Sequence, residues 1–333
     1  MTTAEPLAEI WRGDFLESVH SGHAVICNET GEITEAWGDP GQVILPRSSC
    51  KMIQALPLVE SGAADAAGLG PEQLALACAS HQGGAIHTAR IARWLAALGL
   101  GEADLRCGGH MPRDEEAHRA LYCGCRNPDQ THNNCSGKHT GFLTLNRHLR
   151  ADSEYIDPAH PVQKAVREAF ESVTGAPSPG HAIDGCSAPN FATTLHGLAR
   201  AMAFFASAEG KAGTRAKAAL RLRDAMVSHP DLVAGEGRAC TELMRAMEGR
   251  VAVKTGAEGV FVAIIPQKRL GVALKISDGA TRAAECAIAA ILVRLGVLDR
   301  KHPATQKRMA APLVNCRGIE AAQIQPAPSL IRL

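Results

Sequence analysis

Strand-like segments lie at the two ends of this chain and helix-like segments between them, and that order limits the folds open to it. From about Ala8 to Gly38 the extended stretches are Glu9-Ile10-Trp11-Arg12, Phe15-Leu16-Glu17-Ser18-Val19, His23–Asn28 and Glu32–Trp37. The last two flank Glu29-Thr30-Gly31, a hairpin turn. Val43-Ile44-Leu45-Pro46 is a further short extended piece. Helical spacing then dominates, at 48–61, 71–79, 84–98, 114–121, 140–148, 161–173, 190–206, 213–228 and 236–248, punctuated by Gly and Pro. Strands return at Arg250–Lys254, Gly259–Pro266 and Leu270–Ser277. An alanine-rich helix at about Thr281–Leu295 and a last strand within Pro312–Gln325 follow. The expected class is α/β of the α+β kind, a single domain over 1–333. Its sheet comes from both chain ends, about 8–47 and 250–325, and its helical region spans about 48–249. The three closing strands are joined too tightly for parallel crossovers, so the sheet is expected to be mostly antiparallel.

Composition narrows the function. The formal charge is +1, with 35 Lys+Arg against 34 Asp+Glu, so nothing basic points to nucleic acid or an anionic membrane. Aromatic residues are 4%, too few for a base-stacking surface. Met1–Leu16 holds three acidic residues, Glu5, Glu9 and Asp14, and no apolar run, unlike a signal peptide. No apolar stretch approaches the roughly 18 residues of a membrane span. The expectation is a soluble, cytoplasmic protein. The 11 cysteines are odd in number and dispersed, which argues against a disulfide framework.

Chemistry is first suggested by Arg47-Ser48-Ser49-Cys50-Lys51. On a helix, Ser48 and Lys51 share a face one turn apart, as a lysine must to take a proton from a serine hydroxyl. Such a lysine needs a lowered pKa, through burial or a positive neighbour such as Arg47. A helix with a solvent-facing lysine has the same short pattern. Downstream, Lys254-Thr255-Gly256 follows a strand. Ser-x-x-Lys early and Lys-Thr-Gly late is the order of the penicilloyl serine transferases. With sheet at both ends, this is the layout of a β-lactamase-like architecture. By itself, the Lys254–Gly259 stretch also reads as a hairpin turn with Lys254 and Glu258 in solvent.

Other polar clusters leave alternatives open. Ser80-His81 ends an apolar run, and Ser80 is either a helix N-cap or a second hydroxyl paired with Lys254. Cys107-Gly108-Gly109-His110-Met111-Pro112 reads as a loop near the site. Cys123-Gly124-Cys125 is a weak metal signal. Thr131 to Gly141 is the densest polar stretch, but its glycine spacing and His139 after Gly137-Lys138 do not make a P-loop. Cys135 there is either a thiolate nucleophile helped by Lys138 or His139, or a metal ligand partnered by a distant cysteine such as Cys186.

Together these stretches resemble the class 3, rhizobial-type L-asparaginases, the "asparaginase II" family. The matching segments are Pro46–Pro57, Ser80-His81, Cys107–Pro112, His132–His139, Asp184–Ala192, Lys254–Gly259 and Asp278-Gly279, spread over about 8–325. The resemblance implies a serine β-lactamase-like or glutaminase-like fold, a homodimer, and hydrolysis of L-asparagine to L-aspartate and ammonia. It implies two Ser-Lys pairs, Ser48 with Lys51 and Ser80 with Lys254. It also implies zinc held by Cys135, Lys138 and Cys186, the lysine as its neutral amine. Arg47 is a candidate for the substrate α-carboxylate, Asp184 for the α-ammonium or a metal-held water, and His139 for a supporting role in substrate binding. Where the family often has an acidic residue after Ser80-His81, this chain has Gln82-Gly83-Gly84-Ala85, which leaves asparagine against glutamine open. Rival readings are a glutaminase or β-lactam-acting serine hydrolase, and a non-catalytic zinc-dependent amino-acid-binding protein.

Overall fold

The strand patterns of the two chain ends meet in one sheet. The computed structural model describes residues 3–331. Across the sheet the strands run Pro312–Val314, Glu320–Pro326, Glu5–Arg12, Phe15–Cys27, Leu270–Ile276, Val260–Ile265 and Ala252–Thr255, with Ile33–Trp37 also paired to Phe15–Cys27. Every pairing is antiparallel. With 45% helix and 19% strand, the class is mixed helix and antiparallel sheet.

The chain divides into two compact units. The sheet unit contains the segments ending at Ser49, Thr193–Ser207 and the chain from Glu242 on. Val260–Ile265 is buried at all six positions, so both of its faces are covered, and the residues are accordingly an unbroken apolar run. The helices Leu195–Ala206 and Thr281–Arg294 pack on it. Thr194 caps the first of these by accepting from Gly197 N–H at 3.0 Å. The helical unit contains Cys50–Ala192 and Ala208–Thr241. Its central element is the helix Ser136–Leu149, buried from Ser136 through Asn146, with Pro71–Ala77, Ala85–Ala97 and Pro161–Thr174 packed around it.

The structure changes several expected boundaries. The two units divide at Ser49/Cys50, and Leu195–Ala206 belongs to the sheet unit. The 48–61 helix is a 3₁₀ turn, Arg47–Cys50, then Lys51–Gln54 and Leu56–Glu60, interrupted where Pro57 cannot donate to the preceding turn. Residues 190–194 are not helical. Apart from Ala192 they lie in the short strands Pro189–Phe191 and Thr193–Thr194, where Pro189 and two β-branched threonines disfavour a helix. The helix expected at 140 begins at Ser136. Phe15–Val19 and His23–Asn28 form one strand, Phe15–Cys27. Among the described residues no helix is long and apolar enough to cross a membrane.

Candidate active site

In the sheet unit, the Pro46–Ser49 turn carries Arg47 and Ser48, both half-buried. Ser49 closes the turn, its N–H and Oγ both donating to the Pro46 carbonyl, at 3.2 and 2.7 Å. Arg47 has φ +54°, a left-handed conformation costly for a residue with a Cβ. The Lys-Thr-Gly segment lies against this turn. A Cβ added to Gly256 would stand 2.7 Å from the Pro46 carbonyl oxygen and 3.2 Å from Ser49 N, so only glycine permits the approach. Lys254 is fully buried on the edge strand Ala252–Thr255, and its Nζ donates to the Thr255 carbonyl at 2.8 Å.

In the helical unit, Lys51 is fully buried and its Nζ faces three oxygens. They are the Ala79 carbonyl, Ser80 Oγ at 3.0 Å and the Asn134 carbonyl at 3.4 Å. Two backbone contacts hold this arrangement, Ser80 N–H to Val233 O at 2.8 Å and His81 N–H to Asn134 O at 3.3 Å. Close helix packing also contributes. A Cβ on Gly137 would lie 2.3 Å from the Leu76 carbonyl oxygen, so Pro71–Ala77 and Ser136–Leu149 touch backbone to backbone.

His81, beside Ser80, has both ring nitrogens in use. Ser136 Oγ donates to the Thr131 carbonyl at 2.8 Å and so accepts from His81 Nε2 at 3.0 Å, while Gly83 N–H donates to His81 Nδ1 at 3.1 Å. Burial, then the nearby His87, Lys51, His132 and His110, hold its pKa well below the ordinary histidine value. His81 is a neutral bridge in the scaffold.

The proposed metal ligands do come together. Lys138 Nζ lies 3.1 Å from Cys186 Sγ, and Cys135, whose thiol donates to Asn134 Oδ1 at 3.0 Å, also interacts with Cys186. All three are buried. A turn between the strands His181–Ile183 and Pro189–Phe191 presents Cys186 and Asp184, whose Oδ2 is 4.0 Å from Cys186 Sγ. Cys135 follows Asn133, which accepts from Cys135 N–H at 2.9 Å and donates to the Cys107 and Gly108 carbonyls at 2.8 and 2.9 Å. The glycine-rich Cys107 loop is thus tied to the cluster. Cys107 donates its thiol to the Gln130 carbonyl at 3.5 Å, and burial pushes its pKa up to about 12.

The hydrogen bond from Cys135, with the Lys138 charge adding, holds Cys186 well below the ordinary thiol range. That same bond, and then burial, push Cys135 up to about 12. Burial alone would lower Lys138, but Cys186, Cys135 and Asp184 outweigh it and hold the amine above its ordinary value. Without metal, Lys138 and Cys186 thus favour one another's charged forms, and Cys135 is pushed toward its thiol form. Two sulfur donors and an amine at this spacing fit zinc, whose soft ligands are thiolates. Among the described residues no group of three or more His, Cys, Asp or Glu side chains could hold a metal, so the set depends on Lys138. Cys123 and Cys125 are exposed.

The remaining expectations divide. Ser80 and Lys254 fall in different units, and within its own unit the Ser80 hydroxyl is bonded to Lys51. Ser48 and Lys51 stand on either side of the unit boundary. His139 is fully buried, with Nδ1 2.9 Å from Tyr155 OH. Sequence reasoning missed Asn133, the Asn134 carbonyl and Tyr155. Tyr155 is one of 2 tyrosines, a signal too slight to act on without its contacts.

A family model described as L-asparaginase II matches residues 8–326. A crystal structure of Mglu in its tris and glutamate form is 14% identical, with TM-score 0.48, covering 91% of this chain and 64% of Mglu. The native form of Mglu is also 14% identical, with TM-score 0.45, covering 84% of this chain and 66% of Mglu. The chain thus spans somewhat less than two thirds of the length of these structures. A β-lactamase from Mycobacterium bovis is 11% identical, with TM-score 0.38, covering 82% of this chain and 94% of that one. Comparison with curated protein sequences gave no match.

Proposed function

The chain belongs to the L-asparaginase II family, and on that premise we propose that it hydrolyses the side-chain amide of L-asparagine to L-aspartate and ammonia. The observation that carries the reading is the buried Lys51 amine set among the Ala79 carbonyl, Ser80 Oγ and the Asn134 carbonyl. Ser48 Oγ attacks the amide carbon and its proton passes to Lys51. Three oxygens are then in place for the three N–H groups of the ammonium so formed. Ser80 hands a proton on to the departing nitrogen, with Lys254 as its second lysine. Ammonia leaves, and water cleaves the Ser48 ester to release aspartate. Backbone N–H groups, that of Ser48 among them, stabilise the oxyanion. Arg47 binds the α-carboxylate and Asp184 the α-ammonium. Zinc held by Cys135, Lys138 and Cys186 would supply a fixed positive charge that orients the substrate. The resemblance also carries a homodimer, which sedimentation at twice the chain mass would support.

The test is ammonia release from L-asparagine and L-glutamine by purified protein of known zinc content. Release from asparagine, with Ser48→Ala reduced roughly a thousandfold or more at unchanged zinc, is expected. Full activity in Ser48→Ala would remove the acyl-enzyme scheme. No release from either amide would turn the reading toward a lactam substrate or a binding role.

A further inference from the structure

The Asp278-Gly279 segment has no part in the scheme above, yet the structure sets it against the Lys-Thr-Gly hairpin. All the residues concerned lie in the sheet unit. The strands Ala252–Thr255 and Val260–Ile265 are joined by Gly256-Ala257-Glu258-Gly259, with Gly256 N–H donating to the Val260 carbonyl at 2.7 Å. Glu258 and Gly259 are both left-handed, with φ +58° and +69°. Glycine takes that conformation freely, whereas a residue with a Cβ does not. Glu258 therefore needs contacts that hold it there.

Lys275 supplies them. It pairs in the sheet with Val260, the first residue after the turn, and is half-buried. Its Nζ donates to the Glu258 carbonyl and, at 2.8 Å, to the Ile276 carbonyl. Hydrogen bonds from an ammonium are stronger than those between neutral groups. Burial lowers the Lys275 pKa, and Glu258 and Asp278 oppose that shift. The turn is held from a second side. Ile276 N–H donates to the Gly259 carbonyl at 2.9 Å. A Cβ on Gly259 would stand 2.8 Å from Ile276 Cβ and 3.1 Å from the Gly279 carbonyl carbon, so the two turns meet closely at their backbones. Asp278 anchors the second turn. Its Oδ1 accepts from Ala280 N–H at 2.9 Å, and its Oδ2 lies 2.6 Å from His20 Nδ1. Arg282 Nε donates to His20 Nε2 at 3.1 Å, so the ring donates to Asp278 through Nδ1.

The same hairpin turn begins at Gly256, over which the Pro46 carbonyl and Ser49 N close. Glu258 is two residues away, and a change in its dihedrals is carried to Gly256 within one four-residue turn. We propose that Lys275 is a positioning residue for the candidate site, holding Glu258 in its left-handed turn and so keeping Gly256 seated against the turn that carries Ser48. It acts through the hairpin rather than on the reacting atoms. The kinetic half of the inference rests on the reading of Ser48 as nucleophile. The clamp on the hairpin does not.

The experiment compares Lys275→Met, which keeps an apolar stem and loses the donors, with Lys275→Arg, which keeps donors and charge. In Lys275→Met, amide hydrogen exchange at Ser49 and Gly256 should quicken about tenfold, while Val262 and Ala263 stay protected. Unchanged exchange overturns the clamp. With L-asparagine, kcat/KM should fall about tenfold or more in Lys275→Met. The loss should appear in kcat, because a misplaced nucleophile slows the chemical step rather than binding. Most of the activity should return in Lys275→Arg. Faster exchange with unchanged kcat/KM overturns the positioning role, as do a loss confined to KM and an equal loss in both variants. Lys275→Met combined with Gly256→Ala tests the path between the turns. Both changes act on one contact, so the double variant should lose little more than the worse single one, and losses that multiply overturn the path. Should Lys275→Met fail to fold, Lys275→Gln gives the same readings, since one neutral amide cannot hold both carbonyls. If the wild-type protein releases ammonia from neither asparagine nor glutamine, the amidohydrolase reading fails, while exchange still decides the clamp.

Discussion

Lys51 shows how a single side chain acquires a chemical role. A lysine with no exposed surface pays a heavy desolvation cost unless its N–H groups find acceptors, and here two carbonyls and a hydroxyl are arranged for them. Lys138 meets the same demand with sulfur, through Cys186 Sγ. The two lysines therefore differ in what they can do, one set to carry a proton and the other to hold a thiolate or a metal. On the proposed zinc site, Cys186→Ala should lose zinc, from about one ion per chain to near none, because removal of one of so few ligands collapses affinity. Metal analysis after gel filtration measures this. Undiminished zinc in that variant would remove Cys186 from the ligand set.

Among the elements, the one that constrains the chemistry most is the turn Pro46–Ser49 with the strand end that lies against it. Each is held by hydrogen bonds of its own, Ser49 to the Pro46 carbonyl and Gly256 N–H to the Val260 carbonyl. Their fit depends on the missing side chain at Gly256, over which the Pro46 carbonyl and Ser49 N close. Gly256→Ala should push the turn outward and move the Ser48 hydroxyl by several tenths of an ångström. We expect a loss of about 10- to 100-fold in kcat/KM, on the scale of a misplaced reacting group. A variant with wild-type turnover would mean that the turn has no positional role.

For the whole molecule, the buried histidines set the response to acid. Burial lowers His81 well below its ordinary value, and lowers His87 and His23 as well. In each case the unfolded chain takes up a proton that the folded chain refuses. Their contribution is thus fully present above the unfolded-state histidine pKa near 6.5 and is lost as the pH falls toward the folded values. The slope is about 1.4 kcal/mol per pH unit for each proton of difference. Melting temperature should therefore drop steadily between pH 7 and pH 5, before the carboxylates begin to titrate. A flat profile over that interval would show that these rings are not held neutral.

Much of this was legible in the linear chain. The strand segments at both ends and the tight loops that made the sheet antiparallel follow from local pattern, because period and turn chemistry are properties of neighbouring residues. The convergence of Cys135, Lys138 and Cys186 was implied by family resemblance rather than spacing, since lysine is absent from the usual ligand list. Other features were out of reach. The helix Leu195–Ala206 joins the sheet although it lies among helical neighbours in sequence, and only packing assigns it there. The bond between Lys51 and Ser80 spans 29 positions, and that between His139 and Tyr155 joins a helix to a loop with no pattern of its own. The sequence by itself determined the residue types present at the candidate site, and the order of strand and helix. Tertiary structure alone decided which atoms meet and which nitrogens are left unsatisfied. Those outcomes depend on burial and on distances of about 3 Å between segments far apart in the chain, and periodicity carries no information about either.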